Sequence, residues 1–205
     1  MGLSPRQPCV QPSVQSKSQK RSSRTLCDQK GFTLWFTGLS GSGKTAIAKL
    51  VAQFLLDQGL KVERLDGDIV RQSLTSDLGF SKEDRNKNIE RVTFVAKLLT
   101  RNGVAVLCSF ISPYRERRAK SCREIGEFIE VYVECPVEVC AQRDVKGMYA
   151  KAFAGEIKNF TGVSDPYEEP EDPEIACHTA QETVEESAAK IIAYLERHEY
   201  IPVVT

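Results

Sequence analysis

Residues 38–45 read Gly-Leu-Ser-Gly-Ser-Gly-Lys-Thr, which matches the phosphate-binding pattern G-x-x-x-x-G-K-[ST] at every position. Upstream, the aromatic and β-branched run 32–36 predicts a buried strand. Downstream, apolar residues recur at helical spacing from Ala46 until Gly59 interrupts the pattern. A strand, a glycine-rich loop and a helix in this order predict a P-loop that binds a nucleoside triphosphate.

Each part of this P-loop is expected to supply a different group. The glycines let backbone N–H groups approach phosphate oxygens, and the helix N-terminus adds about half a positive charge. Lys44 is predicted to reach the β- and γ-phosphates, and the Thr45 hydroxyl is predicted to ligate Mg²⁺. The predicted nucleotide-binding residues are Gly38, Leu39, Ser40, Gly41, Ser42, Gly43, Lys44 and Thr45.

Composition and charge narrow the class of protein. Of the 205 residues, 41% are hydrophobic and 27% are charged, as in an ordinary soluble globular protein. The zero net charge combines a +4 segment at 1–28 with a −4 remainder. An acidic domain is a poor candidate for binding a nucleic-acid polymer, which needs clustered basic charge. Membrane association is not expected either, because no apolar run approaches the ~18 residues of a membrane span.

The cysteines and histidines argue against a soft-metal site. The seven cysteines form no C-x-x-C pair, and the two histidines are far apart in the sequence. We interpret the thiols as small buried hydrophobes in a reducing compartment. Metal chemistry is therefore expected to mean Mg²⁺ held by oxygen atoms.

The first 28 residues differ in composition from the rest of the chain. They are rich in Ser, Gln, Pro and basic residues, so they cannot bury enough apolar surface to offset the entropy of ordering. We predict a disordered basic tail at 1–28 and one domain at 29–205. The acid-poor tail leaves a plastid transit peptide open, but a cytoplasmic location is favoured because no amphipathic helix is evident.

Strand and helix patterns alternate from residue 31 onward. Strands are predicted at 32–36, 62–65, 104–111 and 128–133, and helices at 46–55, 81–101, 115–125, 137–143 and 179–198. Residues 144–176 show little periodicity and are interpreted as a lid loop with about one helical turn, and 201–204 is predicted to be a last edge strand. The alternation predicts an α/β fold with a three-layer, doubly wound parallel sheet.

A second polar cluster follows the predicted strand at 62–65. Asp66 and Asp68 come at the end of this strand, where an α/β sheet presents its functional residues. Two carboxylates can divide the work of orienting Mg²⁺ and accepting a proton from a substrate hydroxyl. Arg71 suits a phosphate or sulfate group through forked hydrogen bonds. A turn with two solvated acids explains the pair equally well, and Ser112 before Pro113 is often only a helix cap.

The chain resembles the adenylylsulfate kinase family, whose members phosphorylate the 3′-hydroxyl of adenosine 5′-phosphosulfate (APS). Besides the generic P-loop, six stretches carry the resemblance in family order: 65–68, 77–81 with 84–85 and 88–89, 109–115, 143–149, 155–162 and 165–168. These stretches lie within 31–176. Together they are far more specific than the P-loop alone.

The resemblance implies a fold of the P-loop nucleoside-triphosphate kinase type and a reaction in which ATP phosphorylates APS. It implies that Thr45 and Asp66 hold Mg²⁺ and that Arg143 contacts ATP. The implied catalytic residues are Lys44, Asp66, Asp68 and Ser112. The implied APS contacts are Asp68, Arg71, Phe80, Arg85, Asn88, Ile111, Ser112, Lys146, Phe160 and Thr161.

Within this implied APS site, aromatic rings recognise the base. Phe80 and Phe160 would stack on the two faces of the adenine, since stacking needs no duplex. Arg71, Arg85 and Asn88 would bind the ribose, phosphate and sulfate.

Two further roles come from the resemblance. Lys146 would neutralise phosphoryl charge as the lid closes and excludes water. The serine at the position of Ser112 has been viewed in this family as a phosphoserine intermediate. We favour direct in-line transfer with Ser112 as a substrate contact, because phosphoryl transfer needs positioning more than covalent catalysis.

Two other function classes stay open. A regulatory NTPase is disfavoured because 86–89 reads Asn-Lys-Asn-Ile and lacks the aspartate of the guanine-reading N-K-x-D signature. A P-loop kinase of another small alcohol would share the P-loop but not the Phe80 and Phe160 pair. Dimers are common in the family, so a homodimer is left open, although the sequence itself contains no interface signal.

Overall fold

The centre of the molecule is a five-stranded sheet in which all neighbouring strands run parallel, in the order β2-β3-β1-β4-β5. A computed structural model describes residues 29–144 and 147–203. The strands are β1 (Phe32–Thr37), β2 (Val62–Asp66), β3 (Ala105–Ser109), β4 (Phe128–Glu134) and β5 (Ile175–His178). The strand that leads into the P-loop therefore lies in the middle of the sheet.

Helices cover both faces of this sheet. They are α1 (Lys44–Asp57), α2 (Gly67–Val70), α3 (Lys82–Arg101), α4 (Arg115–Ile125), α5 (Val137–Gln142), α6 (Met148–Phe153) and α7 (Val184–Arg197). Helices α1 and α7 pack on one face, and α3 and α4 pack on the other. The predicted α/β class and the three-layer, doubly wound parallel sheet are confirmed.

Strand β1 is apolar on both sides because a helix layer faces each of them. Its even-numbered residues pack with α1 and α7. On the other face, the Trp35 ring lies 6.0 Å from the Phe110 ring and 5.6 Å from the Phe128 ring, centroid to centroid. A strand that is buried on both faces reads as an unbroken apolar run, so the sequence reveals it.

The fifth strand lies elsewhere than the sequence predicts. Strand β5 forms at Ile175–His178 beside β4, and residues 201–203 form no strand. The prediction of an edge strand at 201–204 is therefore wrong over the described residues, and Val204 lies outside them. Ile201 is buried against the core because the chain folds back onto the end of α7. A four-residue strand is too short to show periodicity, so the sequence does not reveal β5, which begins in the last two residues of the predicted lid.

Two predicted boundaries also shift, for local reasons. Helix α7 begins at Val184 and not near 179, because Thr183 and Glu186 form a reciprocal capping box at its start. Strand β3 ends at Ser109, two residues before the predicted end, because the chain turns at Ser112 with a φ of 39°.

The region predicted to be a lid packs on the P-loop through a small apolar cluster of its own. This cluster includes Leu39 of the P-loop, Tyr149 of α6 and Phe160. Helix α6 supplies the helical turn expected in this region. In the described part of the chain, no helix is both long and apolar enough to cross a membrane. The predicted tail at 1–28 lies outside the described residues, so the division at residue 28 stays a prediction.

The close approach of β1 to β4 generates a stability prediction. Gly38 has a φ of 148°, and a Cβ on it would lie 2.4 Å from the carbonyl oxygen of Val133. We expect Gly38→Ala to lower the free energy of unfolding by about 1–3 kcal/mol, as overpacking does. Urea unfolding would measure the loss.

The matched control is Gly59→Ala, where φ is 79° and no atom lies within 4 Å of the added Cβ. This variant is strained only through its backbone, so it should lose less stability than Gly38→Ala. Equal losses in the two variants would contradict the role of the close approach.

Candidate active site

The P-loop lies at the carboxyl end of β1, where residues 38–43 connect this strand to α1. Its shape is fixed from several sides. Within the loop, the Ser42 N–H donates to the Leu39 carbonyl at 3.2 Å. From the lid, the Tyr149 hydroxyl donates to the Ser40 carbonyl at 2.8 Å, and next to β5 the Thr179 hydroxyl donates to the Ser42 carbonyl at 2.9 Å. The lid and the end of β5 thus hold the loop in place.

Lys44 is buried at the first turn of α1, and its ammonium group turns back onto the loop. It donates to the carbonyl oxygens of Leu39 at 2.6 Å and Gly38 at 3.0 Å. Burial lowers the pKa of Lys44 to about 8, although the charges of nearby Cys140, Asp66 and Asp68 act in the opposite direction. A desolvated cation at this position is suited to meet phosphate oxygens.

One side-chain hydrogen bond connects the first turn of α1 to the carboxyl end of β2. The Thr45 hydroxyl donates to Asp66 Oδ2 at 2.7 Å. The other carboxylate oxygen, Oδ1, accepts the backbone N–H of Asp68 at 3.1 Å and thereby caps α2. Asp66 is buried, whereas Asp68 is exposed. The predicted donor residues and the predicted acid pair are therefore brought together.

Two arginines approach each other beside the exposed ring of Phe80. The Arg71 guanidinium lies 4.3 Å above the ring centroid and donates to the carbonyls of Leu78 and Gly79, both at 3.2 Å. Burial, followed by repulsion from Arg85, lowers the pKa of Arg71. Two neighbouring cations create a positive potential that would attract an anion, and the predicted phosphate and sulfate contacts of these arginines stay a prediction.

Arg85 connects the start of α3 to the lid. Its Nε donates to the Phe80 carbonyl at 2.9 Å, and its other nitrogens contact the Thr161 hydroxyl and the Asn159 carbonyl. It also lies 3.5 Å from a carboxylate oxygen of Asp165. Through this arginine, the chain segments of Phe80 and Phe160 are tied together, although the predicted stacking on adenine stays a prediction.

Phe80, Phe160 and Asn88 differ in how far their side chains are exposed to solvent. Phe80 is 58% exposed, whereas Phe160 is buried with its ring edge-on to Tyr149, at 4.9 Å between centroids. Asn88 is also buried, and its side-chain oxygen has no hydrogen-bond partner within residues 29–144 and 147–203. A buried amide oxygen without a partner is costly, so a ligand donor at this position would relieve the cost.

Ser112 lies at the turn after β3, with its hydroxyl facing inward. The oxygen accepts from the Trp35 indole N–H at 3.1 Å, and the hydroxyl donates to Thr37 Oγ1 at 3.0 Å. The side chain is buried, with 4% of the residue surface exposed. This hydroxyl is committed to protein partners, which makes it a poor phosphate acceptor. The neighbouring Ile111 is half-buried, and its carbonyl also accepts from Thr37, at 2.8 Å.

The two remaining predicted residues lie in or next to the lid. Arg143 is exposed and donates to the Thr179 carbonyl at 2.5 Å. Because Thr179 bonds to the Ser42 carbonyl, Arg143 is connected to the P-loop through this one residue. Lys146 lies outside the described residues. Its role at the phosphoryl group stays a prediction.

Sequence reasoning missed three residues that hold the site together. Thr37, Tyr167 and Thr179 each bond to the P-loop or to a segment beside it. Tyr167 lies in a stretch that carries the family resemblance, so the sequence contained a signal for its importance. Thr37 ends β1 and Thr179 follows β5, and as ordinary small polar residues they give no such signal.

The lowered pKa of Lys44 predicts proton uptake when nucleotide binds. At pH 8.5 the free protein carries the charge on about one quarter of its Lys44 side chains, given a pKa near 8. Polyphosphate favours the charged form, so binding a non-hydrolysable ATP analogue should take up roughly 0.7 proton. Calorimetric titration in two buffers of different ionisation enthalpy measures this number.

The same titration at pH 6.5 is the control. Lys44 is already charged in the free protein at this pH, so its share of the uptake should vanish. Equal proton uptake at pH 6.5 and pH 8.5 would show that Lys44 is not the group that titrates.

Comparison with known proteins is informative over most of the chain. The family model described as adenylylsulphate kinase matches residues 30–178. An adenylyl-sulfate kinase of Halothermothrix orenii is 64% identical over 174 residues, which are 85% of this chain and 94% of the relative. A probable adenylyl-sulfate kinase of Pseudomonas aeruginosa is 63% identical over 167 residues, 82% of this chain and 78% of the relative.

Solved structures agree with this result. An APS kinase of Mycobacterium tuberculosis, solved in complex with AMPPNP and APS, is 45% identical with a TM-score of 0.78, and the match covers 82% of this chain and 99% of the other. A gluconokinase of Sinorhizobium meliloti, at 17% identity and a TM-score of 0.56 over 83% of this chain and 94% of its own, shares the fold alone. The family model and the close relatives together show that the chain belongs to the adenylyl-sulfate kinase family.

Proposed function

We propose that this protein transfers the γ-phosphoryl group of ATP to the 3′-hydroxyl of APS, giving 3′-phosphoadenosine 5′-phosphosulfate and ADP in sulfate activation. Membership of the family supports the reaction, and the relative solved with AMPPNP and APS supports both substrates. The geometric observation that carries the proposal is the contact between Thr45 and Asp66, since it sets a carboxylate beside the predicted phosphate site.

The donor half of the proposed site is built for a magnesium nucleotide. The Thr45 hydroxyl and the Asp66 carboxylate are hard oxygen ligands 2.7 Å apart, and Mg²⁺ is commonly held by one or two carboxylates together with substrate phosphates. Bound Mg²⁺ would neutralise phosphate charge, and Lys44 and Arg143 would add their own positive charges.

The acceptor half of the proposed site recognises a purine with an anionic tail. The exposed Phe80 ring offers a stacking surface, and the Arg71 guanidinium lies at 4.3 Å from it. The neighbouring Arg85 and the unpartnered amide oxygen of Asn88 supply a second cation and an acceptor for a ribose hydroxyl. These groups match the three chemical parts of APS.

Direct transfer is the mechanism that this arrangement supports. The 3′-oxygen of APS forms a bond to the γ-phosphorus, while the bond from that phosphorus to the β–γ bridging oxygen breaks. The hydroxyl proton passes to a carboxylate, Asp66 or Asp68, at the end of β2. The Ser112 hydroxyl is buried in bonds to Trp35 and Thr37, which supports a contact or positioning role over a covalent one.

The competing functions separate in one assay. Purified protein with Mg·ATP and APS should yield ADP and the 3′-phosphorylated product in equal amounts. Hydrolysis of ATP that does not depend on APS would favour a regulatory NTPase. Turnover on gluconate, shikimate or a nucleoside monophosphate, without turnover on APS, would favour a kinase of another alcohol.

We expect Asp66→Asn to lower kcat by at least ~100-fold, because an amide neither accepts a proton nor holds Mg²⁺ as a carboxylate does. Steady-state kinetics with APS measure the loss. Asp57→Asn is the matched control, because Asp57 is an exposed carboxylate at the end of α1 whose partner is Gln53. Near-normal turnover of Asp66→Asn would remove Asp66 from the proposed role.

We expect Ser112→Ala to retain turnover, with a loss of roughly 10- to 100-fold from disturbed positioning. Mass spectrometry of the wild-type protein after incubation with ATP alone should find no phosphate on Ser112. Complete loss of turnover, together with phosphate on this serine, would contradict direct transfer.

Two points rest on the composition of the tail and on the family resemblance respectively. The cytoplasmic location and the homodimer that was left open stay predictions. Size-exclusion chromatography with light scattering would determine the number of subunits.

A further inference from the structure

A buried network of hydroxyl groups lies directly behind the proposed site and has its centre at Thr37, the residue before the P-loop. Thr37 Oγ1 donates to the Ile111 carbonyl at 2.8 Å. It lies 3.0 Å from the Ser112 hydroxyl and 2.9 Å from the Tyr167 hydroxyl. Thr37 is fully buried, so these bonds form away from water.

The direction of each bond follows from the number of protons. Thr37 has one hydroxyl proton and gives it to the Ile111 carbonyl, so it must accept from Ser112 and from Tyr167. The Ser112 oxygen in turn accepts from the Trp35 indole, which can only donate. Burial raises the pKa of Tyr167 to about 12, so the phenol keeps the proton that it donates. This assignment of the protons gives every hydroxyl in the network a partner.

This network joins three segments that are far apart in the sequence. Thr37 is the last residue of β1, Ile111 and Ser112 form the turn after β3, and Tyr167 lies at the base of the lid. The turn is strained, because Ser112 has a φ of 39°, a value that residues other than glycine seldom adopt. A strained turn needs external bonds to persist, and Thr37 supplies two of them.

The P-loop itself does not depend on this hydroxyl. Its carbonyls are held by Tyr149 and by Thr179, at 2.8 Å and 2.9 Å respectively. Neither residue takes part in the Thr37 network. Loss of the Thr37 hydroxyl would therefore disturb the turn at Ile111–Ser112 and the lid base more than the nucleotide-binding loop.

We propose that the Thr37 hydroxyl is a positioning group that fixes the acceptor-side turn and the lid base at the entrance to the P-loop, and so sets the acceptor hydroxyl in line with ATP. This inference rests on the proposed function. Thr37 acts through Ile111, Ser112 and Tyr167 and contacts neither substrate. Its removal should therefore affect APS and kcat while leaving the binding of ATP nearly unchanged.

The test compares two identical substitutions in the same strand. Thr37→Val should raise the KM for APS and lower kcat, each by about tenfold or more, with the KM for ATP within about twofold of the wild type. Thr33→Val is the matched control, because the Thr33 hydroxyl is equally buried and bonds to the Thr100 hydroxyl at 2.7 Å. Thr33 lies near the opposite end of β1, so its loss should lower Tm without changing the KM for APS. Thr37→Ser, which keeps the hydroxyl, should restore most of the activity.

A second variant decides the matter if Thr37→Val does not fold. Tyr167→Phe keeps the ring that stacks on Tyr132, at 6.2 Å between centroids, and removes only the bond to Thr37. It should raise the KM for APS, because the lid base then loses its bond to Thr37.

Two results would overturn the inference. One is a KM for APS in Tyr167→Phe equal to that of the wild type. The other is a Thr37→Val variant with the kinetics of Thr33→Val. A wild-type protein that does not phosphorylate APS would instead refute the proposed function, so the two failures are distinguishable.

Discussion

The hydrogen bond from Thr45 to Asp66 is the contact on which the arrangement of the site depends. Thr45 belongs to the first turn of α1, and Asp66 ends β2, which is two strands away from β1 in the sheet. Strand β3 lies between β1 and β2, so the hydrogen bond from Thr45 to Asp66 passes over the carboxyl end of β3. Because Asp66 also caps α2, the same carboxylate fixes the start of the segment that leads to Arg71. Asp66 thereby fixes the position of α1, which follows the P-loop, relative to the segment that leads to Arg71.

Both halves of the proposed site at the carboxyl edge of the sheet carry positive side chains, so each half can bind an anion. Lys44 is buried and satisfied by carbonyl oxygens of its own loop, and burial opposes its charge. The positive charges of Arg71 and Arg85 repel each other, and each guanidinium donates to backbone carbonyls of nearby residues. In each half, phosphate or sulfate would relieve an electrostatic cost that the folded protein already bears. Asp66, which the proposed mechanism uses as a candidate proton acceptor, bonds to Thr45 on the nucleotide side and caps α2 on the acceptor side.

The sequence predicts the central layer of the fold well, and the physical reason is burial on both faces. Strand β1 is an unbroken apolar run, and the long helix α3 shows a clear period and a capping serine, so both are recognisable. Strand β5 is four residues long and pairs on one side only, with β4, so periodicity does not reveal it. The site residues that belong to motifs could be identified from the sequence, because the residues of one motif lie close together along the chain. Thr37 and Tyr167 are 130 positions apart, and only the folded chain brings their hydroxyl groups together.

The position of β5 has a consequence for how this architecture diversifies. The segment 135–174, which contains α5 and most of the predicted lid, leaves β4 after Glu134 and returns to β5 at Ile175, which pairs with Val131. Because β4 and β5 run parallel, this segment is a crossover that returns from the carboxyl end of β4 to the amino end of β5, so it can change in length only while it still spans β5. The gluconokinase that shares the fold at 17% identity illustrates how widely sequence can diverge on this framework. A foreign lid grafted between β4 and β5 would therefore also have to replace the hydrogen bond from Tyr149 to the Ser40 carbonyl that helps to hold the P-loop.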